Sequence, residues 1–172
     1  MPADHKTKTI TIIGGGFTGS SIAIQEARYY AELFAQDNTL PPLTIRLIDG
    51  AGSFGPGIPY ATQDNVFLLN QPAYAMSPFP DDPAHFTRWL GQDGDSFATR
   101  RQYGEYLRET LASTFNDAAA AGIPVTLEKL SFDVTNVSAG KNIIVTAGAV
   151  DRQTVKVSPS VPSLSLLRCS LL

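Results

Sequence analysis

The sequence predicts an α/β fold built on a parallel sheet. Near its start, the β-branched run TITII stops at three glycines, as buried parallel strands often do. The residues after these glycines repeat apolar side chains at helical spacing, and a second strand-like run, LTIRLID, follows. Strand, helix and strand in this order form a β-α-β unit, which is typical of a parallel sheet.

The first strand is predicted at Thr9 to Ile13, and the helix after it runs from Phe17 to about Ala35. The segment DNTLPP breaks this helix, and the second strand spans Leu43 to Asp49. The following stretch, GAGSFGPGIPYATQDN, is dense in glycine and proline, so we expect an ordered loop there. The apolar positions of the predicted helix share one face: Ile22, Ala23, Ala27, Tyr30, Leu33 and Phe34.

Helices are predicted to dominate the middle of the chain as an insertion. A short helix begins after Asp82 and Pro83, with Asp82 as its N-cap, and ends at Gly91. A longer helix spans roughly Thr99 to Ala121, and Gly122 stops it. The core face of the longer helix is expected to contain Tyr103, Tyr106, Leu107, Leu111 and Phe115.

The texture of the sequence changes after Pro124. The runs VTLEKLSFDVTNV and NIIVTA, separated by SAGK, predict short strands joined by a tight turn, as in a small β-meander. Beyond about Asp151 a tail biased towards Ser, Leu and Pro shows no periodicity, and we expect it to be disordered. The prediction is therefore one domain at residues 1–150 and an atypical tail at 151–172.

Composition narrows the classes of function. The chain has 172 residues and is 43% hydrophobic, which is enough for one core. Its net charge of -3 and its lack of Lys/Arg-rich runs argue against nucleic acid as a partner. Cys169 is the only cysteine, and His5 and His85 are the only histidines, so we predict no metal site and expect a cytoplasmic protein. No apolar run predicts a membrane span or a secretion signal, and nothing indicates the oligomeric state.

The glycines between the first strand and the first helix predict a nucleotide-cofactor site. Gly14, Gly16 and Gly19 have the G-x-G-x-x-G spacing in the strand-to-helix context that gives this motif meaning. In it the first glycine permits the tight turn, the second lets a pyrophosphate approach, and the third allows close helix packing. The alternative is a glycine-rich turn without a ligand. The predicted binding residues of the turn are Gly14, Gly15, Gly16, Phe17, Thr18 and Gly19.

Asp49 ends the second strand, where a carboxylate can accept hydrogen bonds from the ribose of an adenosine. A negative charge there disfavours the 2′-phosphate of NADP, because the two anionic groups would repel each other. The residue therefore predicts FAD or NAD. The alternative is a solvated acid at the end of a strand.

Four segments together resemble a known family: IIGGGFTGSSIA, LIDGAGSFGPGIPYAT, FLLNQPAYAMSPFPDDPAHFTRWL and RRQYGEYLRETL. Between about Lys8 and Ala147 the chain resembles the N-terminal region of bacterial FAD/NAD(P)-binding flavoproteins, similar to the flavin-dependent monooxygenases typified by urate hydroxylase and aspartate N-monooxygenase. The resemblance implies a Rossmann-like domain with a small-molecule cofactor, FAD. It also implies that NAD(P)H reduces the flavin and that oxygen is transferred to a small substrate.

The resemblance also implies roles for individual residues. The glycine turn and Asp49 match the elements that bind the pyrophosphate and the ribose. The segment from Phe54 to Tyr60 matches a loop on the flavin side, with a rigid surface turn as the alternative. Arg101 would offer a cation to the phosphates, with a solvated arginine as the alternative. The further cofactor-binding residues expected on these grounds are Gly55, Tyr60, Asn70, Met76 and Ser77.

The C-terminal segment departs from the family pattern, which continues with a central apolar strand and a nicotinamide domain. Here the sequence reads AVDRQTVKVSPSVPSLSLLRCSLL, which predicts a truncated or frame-shifted product that lacks the central strand and turnover. Three functions stay open: the FAD-binding portion of an oxidoreductase, an NAD or adenine-nucleotide module without redox activity, and an inactive fragment. The sequence indicates neither the catalytic residues nor the substrate.

Overall fold

The architecture was determined from a computed structural model that describes residues 6–134 and the backbone of three short strand segments, 136–137, 143–145 and 156–157. A four-stranded sheet in the order β3-β2-β1-β5 forms its centre, and every pairing in this sheet is parallel. The prediction of a Rossmann-like α/β fold with a parallel sheet is confirmed. The strands of the sheet are β1 (Lys8–Ile13), β2 (Leu43–Ile48), β3 (Val125–Leu130) and β5 (Ile143–Val145).

The first β-α-β unit forms as its sequence pattern predicts. Helix α1 (Phe17–Gln36) connects β1 to β2, and the two strands pair in register from Lys8 opposite Leu43 to Ile13 opposite Ile48. The β-branched and leucine side chains of both strands supply apolar surface, and Ile12, Ile45 and Leu47 are fully buried. The unit thus brings the carboxyl ends of β1 and β2 to the same edge of the sheet.

Helix α4 (Arg100–Ala120) connects the inserted segment to β3 and packs against α1. Its predicted core face is confirmed, because Tyr103, Tyr106, Leu107, Leu111 and Phe115 are all buried. Thr99 caps the helix: its hydroxyl accepts the N–H of Gln102 at 3.1 Å, and the Gln102 side chain accepts the N–H of Thr99. This capping box fixes where the helix starts.

The insertion between β2 and α4 has its own small core. Helix α2 (Gly57–Tyr60) lies in the stretch predicted as a loop, followed by a 3₁₀ turn (Ala73–Ala75) and helix α3 (His85–Leu90). Phe86 of α3 is fully buried against Tyr103 and Tyr106 of α4, with ring centroids 5.0 and 4.7 Å away. The insertion is therefore attached to the main domain through an aromatic cluster.

The prediction that Asp82 caps α3 is wrong. The N-cap is Ala84, and no side chain bonds to the first-turn amides. The Asp82 carboxylate instead pairs with the guanidinium of Arg88, which holds the pKa of Asp82 below its ordinary value. The predicted end of α3 is confirmed, because Gly91 adopts the left-handed conformation, with φ of 65°.

The predicted β-meander is also wrong. Strand β3 pairs parallel with β2, starting with Val125 beside Leu43, and α4 provides the long crossover that a parallel pairing requires. Strand β5 lies in the predicted NIIVTA run, pairs parallel with β1 from Thr11 beside Ile143 to Ile13 beside Val145, and is the end strand of the described sheet. Most of the predicted tail, 151–172, lies outside the described residues. Its segment Lys156–Val157 (β6) pairs with Asn136–Val137 (β4).

Candidate cofactor site

A glycine turn connects β1 to α1 at the carboxyl edge of the sheet. Gly14 adopts φ of 107°, a conformation that disfavours any side chain, and its N–H bonds to the carbonyl of Ile48 at 2.8 Å. Gly16 is the extended N-cap of α1, which begins at Phe17. The turn therefore aims the start of a 20-residue helix at the edge of the sheet where β2 also ends.

The first turn of α1 presents backbone donors. The first bond in this helix runs from the N–H of Ser20 to the carbonyl of Gly16 at 2.9 Å, and the helix start has neither an acidic residue nor a capping side chain. Within the described part of the chain, no oxygen accepts the N–H groups of Phe17, Thr18 and Gly19. Together with the positive end of the helix dipole, these donors suit a phosphate anion.

A second loop, which follows β2 and comprises residues 51–57, packs directly on the glycine turn. The N–H of Gly55 lies 2.9 Å from both the carbonyl of Gly15 and the hydroxyl oxygen of Ser20, and this hydroxyl donates to the Gly15 carbonyl at 2.8 Å. A Cβ on Gly57 would lie 2.8 Å from the Cα of Gly16. A Cβ on Gly16 would lie 3.3 Å from the Cα of Gly57, so the absence of a side chain at Gly16 makes room for the backbone of Gly57.

The carboxylate of Asp49 joins the same two loops. One oxygen accepts the N–H of Gly15 at 2.9 Å, and the other accepts the N–H groups of Ala51 and Ser53 at 3.1 and 3.2 Å. Each carboxylate oxygen has two lone pairs, so the group retains capacity for a ribose hydroxyl. Asp49 thus has a structural role in addition to its expected role in binding.

Asp49→Asn is expected to lower the free energy of unfolding by about 2 kcal/mol, because one acceptor oxygen becomes an NH₂ donor that faces a backbone N–H. Urea titration measures this change. Asp117→Asn is the matched control and should have little effect, because Asp117 is an exposed acid of α4 whose side chain forms no hydrogen bond within the described part of the chain. Unchanged stability with weaker cofactor binding would show that the carboxylate acts on the ligand alone.

An aromatic wall stands beside the start of α1. The Phe17 ring is 36% exposed and lies 6.5 Å from Tyr60 and 6.1 Å from Tyr103, while Tyr60 meets Tyr103 edge-on at 4.9 Å. Burial raises the pKa of both tyrosines, and for Tyr60 the nearby Arg100 charge acts in the opposite direction. Both phenols therefore stay neutral, so the wall is uncharged next to the amide donors.

The other predicted site residues make their contacts away from the glycine turn. Met76 borders the aromatic cluster, and its carbonyl accepts the Tyr103 hydroxyl at 2.9 Å. The hydroxyl of Ser77 donates to the carbonyl of Asp82 at 2.7 Å, and Asn70 is exposed. Arg101 pairs with Glu105 on its own helix at 3.0 Å. Among the described residues, no hydrogen bond or ion pair connects Asn70, Ser77 or Arg101 to the glycine turn.

Sequence reasoning missed two residues that build this site, Ser20 and Gly57. Ser20 is fully buried, and a hydroxyl directly after the third glycine, on the inner face of a helix, is the signal that would have indicated it. Gly57 lies within the segment from Phe54 to Tyr60 that is predicted on the flavin side, but its contact with Gly16 joins two loops that are distant in sequence. Gly57 thus became visible only in three dimensions.

Over the described ranges, no group of three or more His, Cys, Asp or Glu side chains is arranged to hold a metal ion. In the same ranges no helix has both the length and the apolar character needed to cross a bilayer.

The chain matches a model of a known protein family. A family model described as FAD-NAD(P)-binding matches residues 11–158, a range that contains the glycine turn, Asp49, the second loop and α4. No curated protein matches the chain.

Proposed function

The chain belongs to the FAD-NAD(P)-binding family, and on this premise we propose that it holds FAD as the flavin-binding part of an NAD(P)H-dependent oxidoreductase of the monooxygenase type. The observation that carries the proposal is the set of three unaccepted N–H groups at the start of α1, in a turn with G-x-G-x-x-G spacing. We assign the cofactor domain to residues 1–150.

The glycine turn would hold the pyrophosphate. Phe17, Thr18 and Gly19 offer backbone N–H donors, so no cationic side chain is needed at this point. Asp49 would accept a ribose hydroxyl on its one remaining lone pair while it keeps Gly15 in place. The chain thus binds and orients the adenosine diphosphate half of the cofactor with groups that its own fold fixes.

The aromatic wall supports a flavin at the other end of the cofactor. Phe17 and Tyr60 present neutral ring surface beside the helix start, and Met76 adds a half-buried thioether near Tyr103. Such a surface suits a flat ring and excludes water from one of its faces. When bound, FAD would supply the redox chemistry by accepting a hydride from NAD(P)H.

A second candidate is an NAD or adenine-nucleotide module without redox activity. It is favoured because the groups that the fold fixes most firmly, the amides of the glycine turn and the Asp49 carboxylate, would bind the pyrophosphate and the ribose, and FAD and NAD share this half. The two candidates therefore differ only at the aromatic wall.

The test uses the purified chain with added FAD or NAD. We expect FAD to stay with the protein on gel filtration, to give it a visible flavin absorption, and to raise its melting temperature. A melting temperature raised by NAD but not by FAD would support the nucleotide module instead. A chain that is folded by circular dichroism but takes up neither ligand would contradict both candidates.

A further inference from the structure

A cleft of about 480 Å³ opens at the carboxyl ends of β2 and β3, with Phe54 among its lining residues. The loop 51–54 forms one wall, and the side chains of Arg108 on α4 and Lys129 on β3 complete the lining. We propose that this cleft is an anion subsite that takes a phosphate monoester. The inference rests on the proposed function only for the placement of a nucleotide ribose at Asp49. FAD has no 2′-phosphate, so a 2′-phosphorylated ribose at this position would belong to an NADP-type nucleotide that occupies the turn in place of FAD.

The cleft carries two positive charges that are not neutralised by a neighbouring acid in the described part of the chain. Arg108 and Lys129 are both exposed, and within the described part of the chain no carboxylate lies within ion-pair distance of either. This sets them apart from the arginines that are each paired with an acid: Arg28, Arg46, Arg88 and Arg101. Two cations that line one cleft without a carboxylate partner, in a chain of net charge -3, favour an anionic ligand there.

Lys129 is held near the cleft by a contact with Phe54. Its ammonium group lies 6.0 Å over the ring of Phe54, and this ring also packs against Gly15. The cation–π contact keeps the ammonium beside the cleft. A forked guanidinium and a point charge that line the same cleft suit the dianion of a phosphate monoester.

The sequence predicts that the negative charge of Asp49 repels a 2′-phosphate. The hydrogen bonds of Asp49 reduce this repulsion. Its carboxylate accepts three backbone N–H groups, whose dipoles offset the negative charge, and it does not line the cleft. The cleft begins two residues further on, at Ala51. A ribose held by Asp49 would therefore have two cations near it that can compensate a phosphate group.

The phosphate group that binds in the cleft can come from two kinds of molecule. The phosphate belongs either to the 2′-position of a nucleotide ribose or to a separate molecule such as free phosphate. The probes are adenosine 2′,5′-bisphosphate, 5′-AMP, FAD and inorganic phosphate, each titrated calorimetrically into the full chain at constant ionic strength. Preference for the bisphosphate over 5′-AMP indicates the ribose source, and saturable binding of inorganic phosphate alone indicates the separate one.

The expected result is that the phosphate-dependent affinity falls about tenfold in Arg108→Gln and in Lys129→Gln. Lys8→Gln is the matched control, because Lys8 is an exposed cation at the opposite edge of the sheet, and it should leave every affinity unchanged. Both test residues are exposed, and the Arg108 atoms nearest to Gly55 belong to its backbone, so the variants should fold.

The outcomes separate this inference from the proposed function. Binding of FAD or 5′-AMP, with no gain from the 2′-phosphate and no binding of inorganic phosphate, overturns the subsite and leaves the proposed function standing. Binding of inorganic phosphate that depends on Arg108, without binding of FAD or 5′-AMP, supports the subsite and overturns the proposed function. Absence of binding by every probe overturns both.

Discussion

Gly57→Ala is expected to weaken FAD binding by about tenfold or more. The new Cβ would lie 2.8 Å from the Cα of Gly16 and 3.7 Å from the backbone nitrogen of Phe17. Both neighbours are backbone atoms of the glycine turn, so the clash cannot be relieved by a side-chain rotation. The turn or the loop must shift, and the amide donors at the start of α1 would lose their alignment with the phosphates. Fluorescence titration with FAD measures the loss.

The control for this variant is Gly91→Ala at the end of α3. Gly91 has φ of 65° and Gly57 has φ of 57°, so alanine suffers a similar left-handed strain of roughly 1–2 kcal/mol at both positions. Nothing lies within 4 Å of a Cβ at Gly91. We therefore expect both variants to lose stability in urea but only Gly57→Ala to lose FAD affinity. Equal FAD affinities in the two variants would mean that the second loop does not position the turn.

Gly104→Ala is expected to destabilise the fold by about 1–3 kcal/mol or more, despite its position inside α4. Helix propensity alone would make alanine more stable than glycine there by about 1 kcal/mol. The structure reverses this sign, because a Cβ at this position would lie 2.1 Å from the carbonyl oxygen of Tyr60 and 3.2 Å from the side chain of Pro56. Pro56 is fully buried, so neither neighbour can move away cheaply.

Urea unfolding of Gly104→Ala beside Ala112→Gly separates these two effects. Ala112 is exposed on the same helix, so its change to glycine measures the propensity cost alone, about 1 kcal/mol. If Gly104→Ala proved more stable than the parent chain, the close packing of α2 on α4 would not exist in solution.

The candidate site is built from loops that follow different strands, and the variants above test how these loops depend on each other. The second loop contacts the glycine turn through Gly55 and Gly57, and it contacts α4 through the backbone next to Gly55 and at Gly104. The aromatic wall adds Tyr60 from α2 and Tyr103 from α4. Changes on α4 should therefore affect the cofactor even though this helix lies outside the glycine motif.

Much of the fold and part of the site could be predicted from the sequence, because those features arise from local patterns. The β-branched run, the glycine spacing and the helical periodicity indicate β1, the turn and α1, all within 30 residues of chain. The buried face of α4, the stop at Gly91 and the strand before Asp49 are local in the same sense. Each of these features follows from the preferences of neighbouring residues.

The tertiary structure alone decided the features that depend on residues far apart in the sequence. Strand β3 pairs parallel with β2, and β5 pairs parallel with β1, although their local sequence pattern resembles a hairpin. The direction of a strand depends on the crossover that precedes it and on which edge of the sheet is open. Gly57 occupies the space beside Gly16, backbone amides from two loops surround Asp49, and Arg108 and Lys129 line one cleft. The sequence by itself determined where a cofactor turn would form, whereas the fold determined which residues surround it, since spatial neighbours are not encoded in local spacing.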